Sequence, residues 1–415
     1  MTSLTPPTGT GPLARREARL AWSLLFPTIF IVSLVVILPL LSIFWISFKP
    51  VGLADLRPPE IVAREDLRGG PEAIGDAAEI RYRVRNSSQE MPISGVRIDD
   101  TLPEGVVLDG TPPEPCVVDG RALSCDFGDV EGGFRVTIEI PVVLEGDPEA
   151  LEEAIEDSAP AVTGRAENIL TNADFTLDNF ARVFDGNEFW TVLYATMFYT
   201  IVGTVGALVF GLFAAMLLNK SFRGQGILRG LFLFPYVAPV IAVAFTWVNL
   251  FDPFSGSVNA LLIQMGVTQE SINFFGQRPL ALIMVTVFEI WRYFPLSFLF
   301  ILARMQSIDH SMYEAADMDG ASPFQKFWFL SLPQLLGILS VLFLLRFIWT
   351  FNKFDDIFLL TGGNAGTRTL TVNVYEQAFA VSNIGAGAAV AVVIFGCLLI
   401  FSYFFFRFIS REEGL

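Results

Sequence analysis

The alternation of apolar and polar positions divides this chain into two kinds of sequence. Long, almost uninterrupted apolar runs occupy roughly 20–48, 190–218, 228–250, 279–303, 334–352 and 386–408. A helix that crosses a bilayer needs about 20 mostly apolar residues at about 1.5 Å rise each. The pattern therefore predicts six spanning helices, the fifth being the shortest. Pro27, Pro39, Pro235, Pro239 and Pro295 lie within or near these runs. Membrane helices tolerate proline because neighbouring helices re-satisfy the freed backbone groups. The first run follows Arg15, Arg16 and Arg19, as a secretion signal would. It is far longer than a signal core and has no small-residue cleavage site after it, so it is expected to be a retained helix.

Between the first and second runs the period changes. AEIRYRVRN alternates Ile80, Tyr82 and Val84 with polar neighbours, and FRVTIEI alternates Phe134, Val136, Ile138 and Ile140. A period of two predicts half-buried strands. Pro103-Glu104-Gly105, Asp109-Gly110, Asp119-Gly120 and Gly132-Gly133 supply the turns. Short strands at such spacing predict a β-sandwich, with 148–157 (PEALEEAIED) as a short acidic helix or linker. The expected organisation is thus 1–50 (N-terminus and first span), 51–174 (inserted β-sandwich with its acidic linker) and 175–415 (a helical core of five spans). The fold class is an all-α polytopic membrane protein with an inserted β-domain.

Composition agrees. The chain has 415 residues, is 53% hydrophobic and only 17% charged, and carries 40 Phe. Soluble proteins average about 45–50% apolar and about 25% charged. Net charge is −16, yet residues 51–190 hold 30 Asp and Glu against 11 Lys and Arg, leaving the rest of the chain slightly basic. Nucleic-acid binding has no electrostatic support. A single histidine, His310, and three cysteines without a CxxC pair leave no basis for histidine catalysis or a metal site. Nothing matches GxxxxGK[ST], so the chain lacks a P-loop and any ATP-driven work needs another subunit.

Short-loop cations orient the spans. Arg15, Arg16, Arg19, Lys220, Arg223, Arg229, Arg304, Lys326, Arg407 and Arg411 fall on one side if both termini are cytoplasmic. The acidic block 51–189 is then extracytoplasmic. Cys116 and Cys125, nine residues apart across two predicted strands, would face an oxidising compartment and are disulfide candidates, the alternative being two free thiols. Cys397, inside the sixth span, reads as packing. The string ISGVRIDDTLPEGVVL with the later SCDFGDV and VTGRAENIL resembles the β-sandwich repeat of bacterial surface proteins, which implies an immunoglobulin-like fold and a docking or structural role, but no chemistry.

The most informative segment is the loop 304–333, RMQSIDHSMYEAADMDGASPFQKFWFLSLP. Tyr313–Met318 suits a helix, and Asp319-Gly320 a break, since Gly lacks a Cβ. Ser322 and Pro323 suit the N-cap and first position of a second helix. Phe324, Phe327, Trp328 and Leu332 stripe that helix, which is expected to lie along the membrane face. Glu314-Ala315-Ala316, Gly320 four residues on, and Leu330-Ser331-Leu332-Pro333 resemble the EAA loop of permease subunits in binding-protein-dependent ABC importers. Leu330 replaces the usual Ile. Asp319-Gly320-Ala321, Phe327 and Thr361-Gly362-Gly363 resemble the carbohydrate-uptake, maltose-type branch. The likeness extends over 13–50 and 175–415, with the inserted sandwich as the departure.

That resemblance implies a bacterial plasma-membrane importer. Its partners would be a second permease forming a heterodimer, a cytoplasmic ATPase dimer that binds the ATP and Mg, an extracytoplasmic sugar-binding protein and the lipid bilayer. The chain itself would be no enzyme and hold no cofactor. Glu314 would make a polar contact in a cleft of the ATPase, Ala315 and Ala316 would permit close approach, and Gly320 would hold the bend, with Asp319 and Ala321 in the same coupling segment. Closure of the ATPases would rock the spans between two states.

Ionisable groups inside spans are costly and default to functional candidates. Glu289 and Arg292 are three residues apart on one helical face and are expected to pair. Arg346 lies in the fifth span, with Thr350, Asn352 and Lys353 near its end and Trp291, Tyr293 and Trp349 nearby. Aromatic faces and fixed polar groups suit a sugar. Counting from the EAA loop, the likeness to the maltose-type permease places Glu289, Arg292, Tyr293, Leu296, Arg346, Thr350 and Lys353 at sugar-contacting positions, though that permease has more neutral residues there. The alternative is a charge network between helices. A secondary transporter or a membrane-anchored surface protein is the competing class; an anchor needs one span, and no internal repeat supports the former.

Overall fold

The computed structural model describes residues 11–412 except 72, 90, 157, 185 and 186. The chain divides into two compact units. One comprises Met1–Ser47, Asp178–Val381 and Ala386–Leu415; the other comprises Phe48–Leu177 and Ser382–Gly385.

The first span is α1 (Pro12–Val32) and α2 (Leu38–Ser47), joined through the π-helical turn Ser33–Ile37 into one apolar rod. Pro12 sits in the first helical turn, where a missing N–H costs nothing. The described side chains of α1 are all exposed, and along α2 only Leu40, Ile43, Phe44, Ile46 and Ser47 are partly or fully covered. Phe44 touches Phe395 edge-on at 5.8 Å. So apolar and so uncovered a helix needs lipid or another chain around it.

The second unit holds eight strands: β1 (Ile61–Arg68), β2 (Ala77–Asn86), β3 (Ile93–Thr101), β4 (Val106–Leu108), β5 (Cys116–Asp119), β6 (Ala122–Val130), β7 (Arg135–Leu144) and β8 (Ala161–Arg165). They form two four-stranded sheets, β1-β2-β7-β4 and β5-β6-β3-β8, with antiparallel pairing throughout. The period-two pattern explains the core: Ile80, Tyr82 and Val84 of β2 and Ile138, Ile140 and Val142 of β7 face inward and pack with Ile98 and Leu123 of the other sheet. Residues 148–156 fold as α3 (Pro148–Glu156). It is more than a linker, because Leu151 and Ile155, one turn apart, are buried in that core. Cys116 and Cys125 are register partners on β5 and β6 and are bonded. Buried Lys49 clamps the two ends of the unit: its Nζ donates to the carbonyl oxygens of Asn172 at 2.6 Å and Asp174 at 2.9 Å.

The rest of the helical unit runs α4 (Asp178–Phe184), α5 (Asn187–Leu218), α6 (Gln225–Val237), α7 (Val240–Leu250), α8 (Ser257–Gln264), α9 (Leu280–Gln306), α10 (His310–Met318), α11 (Pro323–Lys326), α12 (Leu332–Phe351), α13 (Asp355–Thr361), α14 (Leu370–Tyr375) and α15 (Ile384–Glu412). Five helices are long and apolar enough to cross a membrane, and the number is six when the bent pair α6–α7 is counted as one broken span. α9 is central: α5, α6, α12 and α13 all pack on it. α5 approaches it closely because Gly203, Ala207, Gly211 and Ala215 recur every fourth residue on one face. A Cβ on Gly211 would fall 2.7 Å from Ser297 Cβ and 2.8 Å from the Phe298 nitrogen. Small residues at helix contacts serve this purpose where no hydrophobic effect drives association.

Two expectations about the spans change. The third is not one helix: α6 and α7 meet at 89° across Ala238-Pro239. The fifth is not the shortest. Helix continues from Pro323 through a π-helical turn at Phe327–Ser331 into α12, giving 29 residues. The second helix of the 304–333 loop is therefore the lower end of a span rather than a separate surface helix.

Candidate functional site

The EAA segment is α10. Asp309 caps it: the carboxylate accepts from the Ser311 N–H at 2.9 Å, which holds the carboxyl below its usual range. At its other end the Gly320 N–H donates to Asp317 O at 3.1 Å and the Ala321 N–H to Ala316 O at 2.9 Å. This is a Schellman termination, which requires the left-handed conformation that Gly320 adopts at φ 74°. The expected turn after Gly320 is present. The Ser322 N–H donates to Gln325 Oε1 at 2.8 Å and the Gln325 N–H to Ser322 Oγ at 3.3 Å, a full capping box with Pro323 in the first turn.

Side chains stitch α10 to the helix that follows it. The hydroxyls of Tyr313 and Ser331 are 2.8 Å apart and Lys326 Nζ lies 2.5 Å from Asp317 Oδ1. Arg304 Nε of α9 in turn donates to Gln334 O of α12 at 3.2 Å. The opposite face is open. Glu314, Ala315, Asp319 and Gly320 are exposed, Ala316 and Ala321 half-buried, and Met318, which the motif does not include, is 88% exposed. A firmly held helix thus presents a small-residue face flanked by Glu314 and Met318.

The ionisable residues of the spans meet in a second cluster. Glu289 on α9 is 1% exposed and Arg346 on α12 is 2% exposed. Glu289 Oε1 accepts from Arg346 Nη2 at 2.7 Å and Thr350 Oγ1 at 3.0 Å, and Oε2 accepts from Tyr199 OH of α5 at 3.0 Å. One carboxylate joins three helices. The expected Glu289–Arg292 pair does not form. Pro239 has no N–H, so Pro235 O lacks its usual helical donor. Arg292 Nη1 donates to that oxygen at 3.2 Å and Nη2 to Ala238 O at 3.0 Å. A guanidinium at the C-terminal carbonyls of α6 also suits the helix dipole. Arg292 thereby fastens the corner of the broken span.

The remaining candidates border this cluster. Tyr293 is half-buried, and its ring faces Lys353 Nζ at 4.2 Å, the Arg346 guanidinium at 4.9 Å and that of Arg292 at 5.6 Å. Lys353 also donates to the Tyr293 hydroxyl. Trp291 packs on Trp247 at 5.4 Å, and Leu296 is half-buried without a polar role. Sequence reasoning missed Asp356 and Tyr199. Asp356 is fully buried, with Lys353 Nζ 3.9 Å away and, among the described residues, no hydrogen-bond partner for either oxygen. Its signal was an acid four residues past the fifth apolar run, at the head of a further apolar stretch, DDIFLL. For Tyr199 no local signal distinguishes it from a packing aromatic.

A central helix gripped by an ion pair, a broken third span and an exposed helix between the fourth and fifth spans define a polytopic permease subunit. Residues 207–412 match the family of binding-protein-dependent transport system inner membrane components. The chain is 37% identical to the inner membrane ABC transporter permease protein YcjO of Escherichia coli over 226 residues, 53% of this chain and 74% of that one. It is 32% identical to the trehalose/maltose transport system permease protein MalF of Thermococcus litoralis, with 56% and 78% covered. It is 31% identical to the sn-glycerol-3-phosphate transport system permease protein UgpA of Yersinia pestis, with 57% and 80% covered. Among solved structures, a bacterial ABC transporter that imports the acidic polysaccharide alginate superposes with TM-score 0.54 at 19% identity, over 58% of this chain and 85% of that one. The chain belongs to the ABC importer permease family and is a multi-pass membrane protein.

Proposed function

We propose that this chain is one half of the translocation pore of an ATP-driven sugar importer, with a di- or oligosaccharide of the α-glucoside type as cargo. The observation that carries the reading is the exposed Glu314–Gly320 face on a helix stitched to the start of the fifth span. Such a helix passes a push from a docked ATPase into α12, and from there through the Arg304–Gln334 bond into α9. Hydrolysis belongs to a separate cytoplasmic ATPase dimer that binds the ATP and Mg. A second permease completes the pore, and a sugar-binding protein delivers cargo from outside. In this reading both termini are cytoplasmic and residues 51–189 extracytoplasmic, an orientation that the bias of the loop cations supports. The trehalose/maltose relative supports the sugar; the glycerol-3-phosphate relative makes a phosphorylated polyol the second reading. Glu289, Trp291, Arg292, Tyr293, Leu296, Arg346, Thr350 and Lys353 border the path, Tyr293 and Trp291 offering ring faces to the cargo.

The test is uptake of labelled trehalose, maltose and sn-glycerol-3-phosphate by the complete transporter, with wild-type chain and with Gly320→Val. There is open space around Gly320, so the substitution acts through the backbone, at about 1–2 kcal/mol for a side chain in the left-handed region. Coupling predicts normal membrane insertion and at least tenfold slower uptake. Unchanged uptake with the inserted variant would overturn the docking role, and uptake of the phosphate alone would select the second reading.

A further inference from the structure

The β-unit is strongly acidic, yet six of the 11 basic residues between 51 and 190 lie on one sheet face. These are Arg64 and Arg68 of β1, Arg81, Arg83 and Arg85 of β2, and Arg135 of β7. The register stacks them in rows across the strands. Arg64 stands directly opposite Arg83, and Arg85 directly opposite Arg135. Directly opposed residues have Cβ atoms about 4.5–5.5 Å apart, and like charges there are destabilising. The other two rows contain acids: Asp66 lies 2.6 Å from Arg81 and 3.2 Å from both Arg68 and Arg83. Among the described residues no carboxylate lies within 4.0 Å of Arg64, Arg85 or Arg135, all three exposed. A groove of about 360 Å³ runs between these rows, lined by the four arginines with Val62 and Thr137.

We propose that this groove is a binding site for an acidic oligosaccharide, a site separate from the permease machinery and independent of the importer reading. Guanidinium forks match carboxylate or phosphate groups with two parallel hydrogen bonds each. Two rows two residues apart, about 6.6 Å along the strand, engage anions on successive units of a chain. The Thr137 hydroxyl is placed for a sugar hydroxyl. The groove volume suits a few sugar rings rather than a single ion. No aromatic ring stands among the arginines to stack a nucleobase. The large apolar side chains exposed on the eight strands are Val107 and Val117, neither in these rows, so the face has no wedge for a lipid surface.

The test uses the full chain in neutral detergent, titrated calorimetrically with an oligogalacturonate, a maltodextrin of equal length and phosphatidylglycerol vesicles. Saturable binding of the oligogalacturonate is expected, weakening at least tenfold as NaCl rises from about 50 to about 500 mM. The triple variant Arg64→Ser, Arg85→Ser, Arg135→Ser should lose at least tenfold in affinity. It should also melt no lower than wild type, since it removes only like-charge repulsion. The triple Lys variant keeps the charge without the fork, should bind with intermediate affinity, and tests the site should the serine variant fail to fold. Equal binding of maltodextrin, an unaffected folded serine variant, or binding to vesicles alone would each overturn the proposal.

Discussion

Replacing Glu289 by Gln, Arg346 by Met, or both, separates a helix-joining ion pair from a cargo site. In wild type Glu289 accepts three hydrogen bonds and Arg346 has no acidic partner other than it among the described residues. Glu289→Gln leaves a guanidinium buried without a counter-charge, and Arg346→Met leaves a carboxylate in the same position. Breaking a buried pair from one side costs about 3–5 kcal/mol, whereas removing both members is often close to neutral. At roughly 2–4 °C per kcal/mol for a unit of this size, each single variant should melt about 10 °C below wild type. The double variant should recover most of that loss.

The assay is a thermal unfolding scan of the full chain in detergent, paired with the concentration dependence of uptake by the assembled transporter. A coupling energy of about 2 kcal/mol or more between the two sites is the signature of direct contact. The reasoning fails if both single variants melt with wild type while the uptake KM rises tenfold. That outcome means the charges are held for the cargo and not for each other.

Three further outcomes follow from the same coordinates. Arg292→Met strands Pro235 O and Ala238 O, so the chain should lose about 1–3 kcal/mol, read as a lower melting temperature that Arg292→Lys restores in part. In the β-unit Glu65 of β1 faces Tyr82 and Asp100; burial first, then the Asp100 carboxylate, push its carboxyl up to about 7 against the pull of Ser158 and Tyr82 hydrogen bonds. A raised value means the protonated form is favoured by folding, so this stability is complete below about pH 4.5 and lost as pH rises through about 7. At a half-buried site it amounts to about 1 kcal/mol after screening, and Glu65→Gln should flatten the pH dependence of the β-unit's melting. Reducing the Cys116–Cys125 bond, or Cys116→Ser with Cys125→Ser, opens a loop of sequence separation 9 and should cost that unit about 2–3 kcal/mol, checked by melting with and without reductant.

What could be read from the sequence was whatever is decided locally. The turn at Gly320 and the cap at Ser322 depend on residues within a few positions and were legible. The start of α10 at His310 behind its cap Asp309 was not, and neither was the continuation of the next helix through Phe327–Ser331 into α12. The strands of the β-unit were legible, since period two needs no partner. Their order β1-β2-β7-β4 was not, because it depends on which distant strands meet. Proline shows the limit most clearly. Pro27, Pro235 and Pro295 lie inside unbroken helices, and Pro239 stands at an 89° corner. The residue is the same; the difference is that a guanidinium from α9 reaches the carbonyls at that corner and makes the break tolerable. The i,i+3 spacing that joined Glu289 to Arg292 on paper lost for the same reason. A helix-face pair is worth only about 0.2–0.5 kcal/mol in isolated helices, while unsatisfied carbonyls and a buried unpaired charge each cost several times more. Arg292 and Glu289 therefore turn to the partners with most at stake, and those lie on other helices.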